Sequence, residues 1–365
     1  MKRTRQLHDL GQSLWLDNIT RALLDSGGLR KYIDKYSITG LTSNPTIFDE
    51  AIANENAYDE GIRAKSKAGK FGEALFTELA LEDLRRAADL FRPTFDATQG
   101  ADGWVSMEIS PLLADKTQGS IAAAARIHQQ ANRPNLYVKI PGTPEGIPAI
   151  EESIFAGVPI NVTLLFSREQ YLAAADAYLR GIERRIASGR EPRVASVASL
   201  FVSRWDKAVS ERVPPELRNR LGIAIAQRTY RAYRELLASA RWKQLAAAGA
   251  RPQRLLWAST GTKDPDASDT LYVEALAAPD TIDTIPEKTL KAFADHGAVH
   301  GVMAWDGDDA EPVLARFANA GIDVDALAGQ LQRDGAKSFV KSWQELLKRI
   351  ADKSATLAGA SQDAA

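Results

Sequence analysis

The chemistry that this chain could perform begins with one lysine in an apolar stretch. Lys139 lies within residues 136–143, whose sequence Leu-Tyr-Val-Lys-Ile-Pro-Gly-Thr predicts a short strand closed by a Pro-Gly turn. A lysine held inside a folded chain loses its proton more readily than an exposed one, and a neutral amine can attack a carbonyl carbon to form a Schiff base. A lysine on a solvent-facing edge strand would have no such role. The interpretation therefore depends on the side chains that surround Lys139.

Other polar residues lie at the C-terminal ends of predicted strands. They are Asp17, Thr42, Asn44, Glu108, Asn161, Thr163, Ser199 and Ser259. Asp17 and Glu108 could divide the proton transfers that imine formation and carbon–carbon cleavage require. Thr163 and Asn161 could hold a water molecule and substrate hydroxyl groups. The chain has no cysteine and no serine with an obvious histidine partner, so lysine is the only good nucleophile for a carbonyl substrate. This pattern indicates an enzyme.

Cations and hydroxyl groups near the sixth and seventh strands suggest that one end of the site binds phosphate. Arg204 opens a predicted helix after the sixth strand, and Ser259 and Lys263 lie in or near the loop after the seventh. Arg204 could instead form a surface ion pair, and Lys263 could be an ordinary loop lysine.

The catalytic candidates also have simpler structural interpretations. Asp17 and Asn44 could cap the helices that follow them, and Glu108 could be a solvated acid at the end of a strand. The sequence leaves these alternatives open.

Eight predicted strands alternate with helices along the chain. They cover residues 14–18, 38–45, 104–110, 136–143, 158–166, 195–202, 254–260 and 299–305, and residues 279–286 are expected to form a loop. Apolar strands that alternate with helices predict a parallel sheet covered by helices, and eight strands are the number that closes a (β/α)8 TIM barrel. An open doubly wound sheet is the alternative, but it would usually carry a glycine-rich first turn, which is missing after Asp17.

Additional helices are expected between strands two and three, over about residues 46–90, and at the C-terminus, where the last helix is expected around residues 336–350. Nothing in the composition marks a domain boundary. We therefore expect residues 1–352 to form one domain and residues 353–365 to form a disordered tail.

Composition excludes several classes of function. The formal net charge of the 365 residues is −1, with acids and bases interspersed, which argues against a nucleic-acid-binding surface. No apolar run approaches the roughly 18 residues of a membrane span, and no secretory signal is evident. The absence of cysteine excludes disulfides and thiolate metal sites, and the four histidines show no zinc-binding spacing. We therefore expect a cytoplasmic protein without metal or cofactor.

Seven motifs, one per strand and in order, resemble the transaldolase family and in particular its longer bacterial type. They are Leu-Asp-Asn at 16–18, Gly-Leu-Thr-Ser-Asn-Pro-Thr at 40–46, Val-Ser-Met-Glu at 105–108, Val-Lys-Ile-Pro-Gly-Thr at 138–143, Asn-Val-Thr-Leu-Leu-Phe-Ser at 161–167, Ser-Leu-Phe-Val-Ser-Arg at 199–204 and Trp-Ala-Ser-Thr-Gly-Thr-Lys at 257–263. The resemblance covers most of residues 10–305.

The resemblance implies a barrel enzyme that needs no metal and moves a dihydroxyacetone unit between sugar phosphates. It implies that Lys139 forms the Schiff base and that Asp17 is the base during carbon–carbon cleavage. Glu108 would transfer protons through a water molecule held near Thr163.

Further roles follow from the same resemblance. Asn44 and Asn161 would bind the dihydroxyacetone hydroxyls with Thr42 and Ser199 beside them, and Phe201 would lie near the cleaved bond.

Arg204 and Ser259 would bind the phosphate group. Shorter transaldolases carry a second phosphate-binding arginine where this chain has Gly261. Lys263 is the nearest cation to that position, and a lysine would bind phosphate without the two-pronged geometry of arginine.

The expected function is therefore transaldolase, a transferase of the non-oxidative pentose phosphate pathway. Its expected substrates are sedoheptulose 7-phosphate or fructose 6-phosphate as donor and glyceraldehyde 3-phosphate or erythrose 4-phosphate as acceptor. The enzyme would act as a monomer or a homodimer.

The nearest alternative is a fructose-6-phosphate aldolase, but that group tends to have glutamine at the position of Glu108. A non-catalytic sugar-phosphate-binding barrel is a second alternative, although a set of acid, amine and acid serves no purpose in binding.

Overall fold

Eight parallel strands close into a barrel at the centre of the computed structural model, which describes residues 3–362. The strands are β1 Ser13–Asp17, β2 Gly40–Thr42, β3 Val105–Glu108, β4 Leu136–Pro141, β5 Ile160–Leu165, β6 Ser196–Phe201, β7 Arg254–Ala258 and β8 Thr281–Ile285. Each strand pairs with the next, and β8 pairs with β1. Their residues are almost all buried, as parallel strands covered by helices require. The predicted (β/α)8 TIM barrel is confirmed.

Helices surround the barrel and extend it at two places. They are α1 Arg3–Asp9, α2 Arg21–Asp25, α3 Gly28–Tyr36, α4 Pro45–Asn54, α5 Asp59–Lys67, α6 Gly72–Ala97, α7 Thr117–Ala131, α8 Gly146–Ala156, α9 Arg168–Ala187, α10 Ser203–Val209, α11 Leu221–Ala238, α12 Ala240–Ala247, α13 Leu271–Ala275, α14 Glu287–His296, α15 Ala310–Asn319 and α16 Val324–Gln362. Pro111–Leu113 and Pro215–Leu217 form short 3-10 helices. Within residues 3–362, no helix combines the length and the apolar character needed to cross a lipid bilayer.

The additional helices lie where the sequence predicts them, between β2 and β3 and at the C-terminus. The stretch at 46–90 forms parts of α4, α5 and α6 rather than one long helix. Gly69 follows α5 with φ of +76°, a conformation that glycine adopts without strain and that interrupts a helix.

The prediction for the eighth strand was wrong. Residues 299–305 form neither helix nor strand, and Val302 and Trp305 are exposed. The strand that closes the barrel is β8, within the segment 279–286 that was expected to be a loop. Its polar residues are buried because each finds a partner. The Thr281 hydroxyl donates to the Ala278 carbonyl, for example, at 2.6 Å. A short strand with a polar sequence therefore resembles a loop when its partners are unknown.

The C-terminal helix α16 is longer than the sequence indicates. It contains 39 residues and spans about 58 Å. Residues 353–362, which were expected to belong to a disordered tail, are helical, and the Lys353 ammonium donates to the carbonyls of Ile52 and Glu55 at 2.9 and 2.8 Å. Residues 363–365 of the expected tail lie outside the described residues. The division into one domain at 1–352 and a tail stays a prediction.

Candidate active site

A cavity of about 240 Å³ opens at the C-terminal ends of the barrel strands. Ten of the residues predicted from the sequence line it: Asp17, Thr42, Asn44, Lys139, Thr163, Ser199, Phe201, Arg204, Ser259 and Lys263. They come from β1, β2, β4, β5 and β6 and from the segments that follow β2, β6 and β7. In TIM barrels this end of the barrel carries the active site. The closed barrel thus brings together side chains that are far apart in the sequence.

The register of three strands places Lys139 between two other predicted residues. Lys139 pairs with Glu108 on β3 and with Asn161 on β5. Because successive side chains of a strand alternate between its two faces, residues in direct register point to the same side. The barrel is closed and Lys139 lines its cavity, so the interpretation of an edge-strand lysine is wrong.

The Lys139 ammonium has two polar neighbours. Its Nζ donates to the Ser43 carbonyl at 3.0 Å and lies 3.6 Å from Glu108 Oε2. The side chains of Lys139 and Glu108 are only 8% and 5% exposed. A buried amine next to a buried carboxyl group can exchange a proton with it without bulk water, which suits imine chemistry.

Asp17 ends β1 at the cavity wall. The Thr42 hydroxyl donates to its Oδ1 at 2.8 Å and lies 2.6 Å from the Thr284 hydroxyl. Burial raises the pKa of Asp17, although Lys139, Thr42 and Lys263 act in the opposite direction. Asp17 is not a helix cap, because the side chain that caps α2 belongs to Thr20.

Glu108 and Thr163 carry buried polar atoms without hydrogen-bond partners. Among the described residues, both carboxylate oxygens of Glu108 and the hydroxyl oxygen of Thr163 have none. Burial raises the pKa of Glu108, which Lys139 partly offsets. The interpretation of Glu108 as a solvated acid is wrong. Buried polar atoms usually find partners, so these are positions where a substrate atom or a water molecule would bind.

Asn161 lies behind the cavity rather than in its wall. Its Nδ2 donates to the Ser106 hydroxyl at 3.2 Å, and its Oδ1 accepts from the Ser199 hydroxyl at 2.7 Å. Ser199 itself lines the cavity. Asn161 therefore connects β3, β5 and β6 beneath the cavity.

Asn44 has both of the roles that the sequence suggests. Its Oδ1 accepts from the Ile47 amide at 3.1 Å and caps α4, and the same residue lines the cavity.

Arg204 forms the cationic end of the cavity. Its guanidinium lies 5.0 Å from the centre of the Phe201 ring and 5.8 Å from that of Phe339. No carboxylate among residues 3–362 forms an ion pair with it. Burial lowers the pKa of Arg204. The surface ion-pair interpretation of Arg204 is wrong, and its positive charge remains available to an anion.

Ser259 and Lys263 lie beside Arg204. The Ser259 hydroxyl is 2.9 Å from that of Ser203, and its φ of +57° is rare for residues other than glycine. Lys263 lies at the cavity rim, where partial burial and repulsion from Arg204 and Lys207 lower the pKa of its ammonium group. Two cations and a hydroxyl group therefore point to a phosphate subsite.

Six lining residues were not among the predicted site residues: Thr46, Ile47, Ala258, Thr284, Pro286 and Phe339. Thr284 belongs to β8, which was mistaken for a loop, and its motif Thr-Ile-Asp-Thr-Ile could have revealed it through strand-like alternation. Phe339 belongs to α16, and its helical spacing in the sequence signals only an apolar helix face.

The chain is similar to known proteins over nearly its whole length. The family model described as Transaldolase/Fructose-6-phosphate aldolase matches residues 14–350. A protein named Transaldolase from Saccharopolyspora erythraea is 45% identical over 95% of this chain and 96% of its own length. Proteins with the same name from Thermobifida fusca and Thiobacillus denitrificans are each 44% identical over 96% of this chain, and over 97% and 100% of their own lengths.

The family model matches most of the chain, and these relatives are 44–45% identical over nearly their full lengths. The chain belongs to the transaldolase/fructose-6-phosphate aldolase family.

Proposed function

We propose that the protein is a transaldolase that transfers a dihydroxyacetone unit between sugar phosphates through a Schiff base on Lys139. The donor would be fructose 6-phosphate or sedoheptulose 7-phosphate, and the acceptor would be erythrose 4-phosphate or glyceraldehyde 3-phosphate. One observation carries the proposal. The buried Lys139 amine lies 3.6 Å from the buried Glu108 carboxyl group, at a cavity that Asp17 also lines.

Imine formation is the first step. The neutral Lys139 amine adds to the C2 carbonyl of the ketose, and the resulting carbinolamine loses its hydroxyl group as water when a proton is supplied. Glu108 is close enough to supply that proton, and its raised pKa favours the protonated form that a proton donor needs. The Thr163 hydroxyl, which has no hydrogen-bond partner among the described residues, would hold the water molecule through which this proton moves.

Carbon–carbon cleavage is the second step. The Asp17 carboxylate accepts the proton of the C4 hydroxyl, the C3–C4 bond breaks, and its electron pair moves into the iminium. The aldose phosphate leaves, and the three-carbon unit remains on Lys139 as an enamine. Addition of this enamine to a new aldose aldehyde reverses the step, and hydrolysis then frees the lysine.

The remaining predicted residues would bind the substrate. Thr42, Asn44 and Ser199 line the cavity beside the dihydroxyacetone end, with Asn161 behind them. Arg204, Ser259 and Lys263 would bind the phosphate group, because their positive charges and hydroxyl group lie together at the other end.

A transfer assay tests this function against the aldolase alternative, which the family model also covers. The protein is incubated with fructose 6-phosphate with and without erythrose 4-phosphate, and sedoheptulose 7-phosphate and free dihydroxyacetone are measured. We expect sedoheptulose 7-phosphate with the acceptor and little free dihydroxyacetone without it. Steady release of dihydroxyacetone without an acceptor would favour the aldolase instead.

Two lysine variants control this assay. Lys139→Met should abolish transfer. Lys341→Met removes an ammonium group on a side chain that is 77% exposed and should keep full activity.

The finer expectations of a cytoplasmic location and of a monomer or homodimer stay predictions. Sedimentation equilibrium would distinguish monomer from dimer.

A further inference from the structure

One residue of α16 contacts the ends of two catalytic strands. The buried Gln332 amide donates to the Gly142 carbonyl at 2.9 Å and to the Leu164 carbonyl at 3.0 Å. Gly142 follows β4, which carries Lys139, and Leu164 follows Thr163 in β5. A single side chain from the C-terminal helix therefore links the segments that position two proposed catalytic residues.

The Leu164 end of this link has an unusual backbone. Leu164 has φ of +59°, which is rare for residues other than glycine, and the pairing of β5 with β6 shifts register between Val162 and Leu165. Such a bulge changes the direction of the neighbouring side chain, and that neighbour is Thr163. A backbone conformation of this kind persists only where its surroundings hold it.

The surroundings form a closed set of hydrogen bonds around Thr163. The Gly142 amide donates to the Thr163 carbonyl at 2.7 Å, while Gln332 binds the carbonyls of Gly142 and Leu164. The helix also lies directly on this bulge, because a Cβ atom at Gly335 would come within 3.0 Å of the Leu164 side chain. Glycine at this position permits the close approach that Gln332 needs.

We propose that Gln332 is a positioning residue of the active site. Its hydrogen bonds to the bulge at Leu164 and to Gly142 at the end of β4 fix the position of the Thr163 hydroxyl. The inference rests on the proposed function, since it assigns Gln332 a role in imine formation at Lys139. Without the amide, two buried carbonyls lose their donor and the bulge loses its support, so Thr163 moves relative to Lys139 and Glu108.

A purely structural role for Gln332 makes a different prediction, and the same helix offers a matched control. The Lys353 ammonium also donates to two backbone carbonyls, those of Ile52 and Glu55, at 2.9 and 2.8 Å. Lys353 does not line the catalytic cavity. Both residues connect α16 to the rest of the protein by hydrogen bonds to backbone carbonyls. Of the two, only Gln332 does so at the ends of β4 and β5, the strands that carry Lys139 and Thr163.

The test compares Gln332→Met with Lys353→Met in the full chain. Methionine has the length of the glutamine side chain, is one atom shorter than lysine, and removes the donor of each. The readouts are the rate at which fructose 6-phosphate and borohydride label the protein at saturating substrate, kcat and KM for transfer, and the thermal unfolding temperature. For Gln332→Met we expect labelling and kcat to fall about tenfold or more, because small displacements of catalytic groups are costly, with a smaller change in KM. For Lys353→Met we expect a lower unfolding temperature and unchanged kcat.

If Gln332→Met does not fold, the labelling experiment is repeated with a second variant, Gln332→Asn. Gln332→Asn keeps a polar amide but withdraws the donor by about 1.5 Å, so labelling should again be slow. Wild-type labelling rates in a folded Gln332 variant, or equal losses in the Gln332 and Lys353 variants, would overturn the inference. Absence of any adduct on the wild-type protein would instead overturn the proposed function.

Discussion

Burial sets the proton-transfer properties of the two carboxyl groups near Lys139. Burial raises the pKa of both Asp17 and Glu108, so each keeps its proton to a higher pH than an exposed carboxyl group does. Glu108 must be protonated to donate, whereas Asp17 must be ionised to accept. The same physical effect therefore helps one proposed step and limits the pH range of the other.

Removal of the proposed base should stop the reaction between its two steps. Asparagine has the shape of aspartate but cannot accept the C4 hydroxyl proton, so Asp17→Asn should still form the imine. We expect transfer to fall roughly 10²–10⁴-fold and borohydride to trap an adduct that keeps all the carbons of fructose 6-phosphate. Mass spectrometry of the labelled protein checks this result. A three-carbon adduct formed at the wild-type rate would exclude Asp17 as the base.

The acid limb of the pH–rate profile should report Asp17. Because its pKa is raised from 3.8, kcat should decline as pH falls through a midpoint above that value, since protonated Asp17 cannot act as a base. Initial rates between pH 3 and pH 8 give the midpoint, and circular dichroism at each pH verifies that the protein is folded. A midpoint at or below 3.8 in folded protein would contradict the assignment.

The strand β8 closes the barrel with polar residues that pair inside the protein. The Thr260 hydroxyl donates to Asp283 Oδ1 at 2.9 Å, and among the described residues Asp283 Oδ2 has no hydrogen-bond partner. Burial raises the pKa of Asp283 from 3.8 to about 7. The folded protein therefore favours the protonated form of this carboxyl group.

The stability of this strand should depend on pH in a defined direction. An acid whose pKa is raised by folding stabilises the protein below its unfolded pKa, and this stabilisation is lost as pH rises towards the folded pKa. Asparagine cannot ionise. The stability of Asp283→Asn relative to wild type should therefore increase between pH 4 and pH 8, by about 4 kcal/mol at most.

Denaturant unfolding of both proteins at pH 4, 6 and 8 measures this difference. An equal difference in free energy of unfolding at all three pH values would show that Asp283 does not titrate in this way.

At the scale of the whole molecule, α16 connects the barrel to the helices between β2 and β3. Its Arg349 pairs with Asp49 on α4 at 2.6 Å, and Trp343 packs edge-on against Phe76 on α6, with ring centres 5.1 Å apart. The same helix contributes Phe339 to the cavity. Stability and the shape of the site therefore depend on one element.

Truncation after Asp352 should separate these two contributions. It removes Lys353, which binds two carbonyls and pairs with Asp59 at 2.7 Å, but no residue that lines the catalytic cavity. We expect the unfolding temperature to fall on the order of 5 °C, with kcat and KM unchanged, as measured by calorimetry and the transfer assay. Lys348→Ala, which breaks an exposed ion pair within α16, should leave the unfolding temperature nearly unchanged. A large loss of activity in folded, truncated protein would contradict this view.

Sequence reasoning succeeded where a strand has an apolar body and a polar end. Asp17, Glu108 and Lys139 could be assigned to one site because parallel strands place their C-terminal ends together. It failed for β8, because the partners of the buried residues Asp283 and Thr284, which are Thr260 and Thr42, are distant in the sequence.

The contribution of α16 could not be predicted from the sequence for a related reason. Helical spacing shows that Gln332 and Phe339 lie on a helix, but the surface that this helix crosses is decided by tertiary packing. Similarly, the sequence alone does not show that Asn161 lies behind the cavity or that Glu108 is buried, since both depend on how the closed barrel packs.

The most direct test of the central claim is to identify the residue that carries the substrate. Wild-type protein and Lys139→Met are treated with fructose 6-phosphate and borohydride, digested, and analysed by peptide mass spectrometry. We predict a three-carbon adduct on the peptide that contains Lys139 in wild-type protein, its depletion when erythrose 4-phosphate is added before borohydride, and no adduct in the variant. Absence of an adduct on Lys139 in folded wild-type protein, or an adduct on another lysine, would contradict the proposed mechanism.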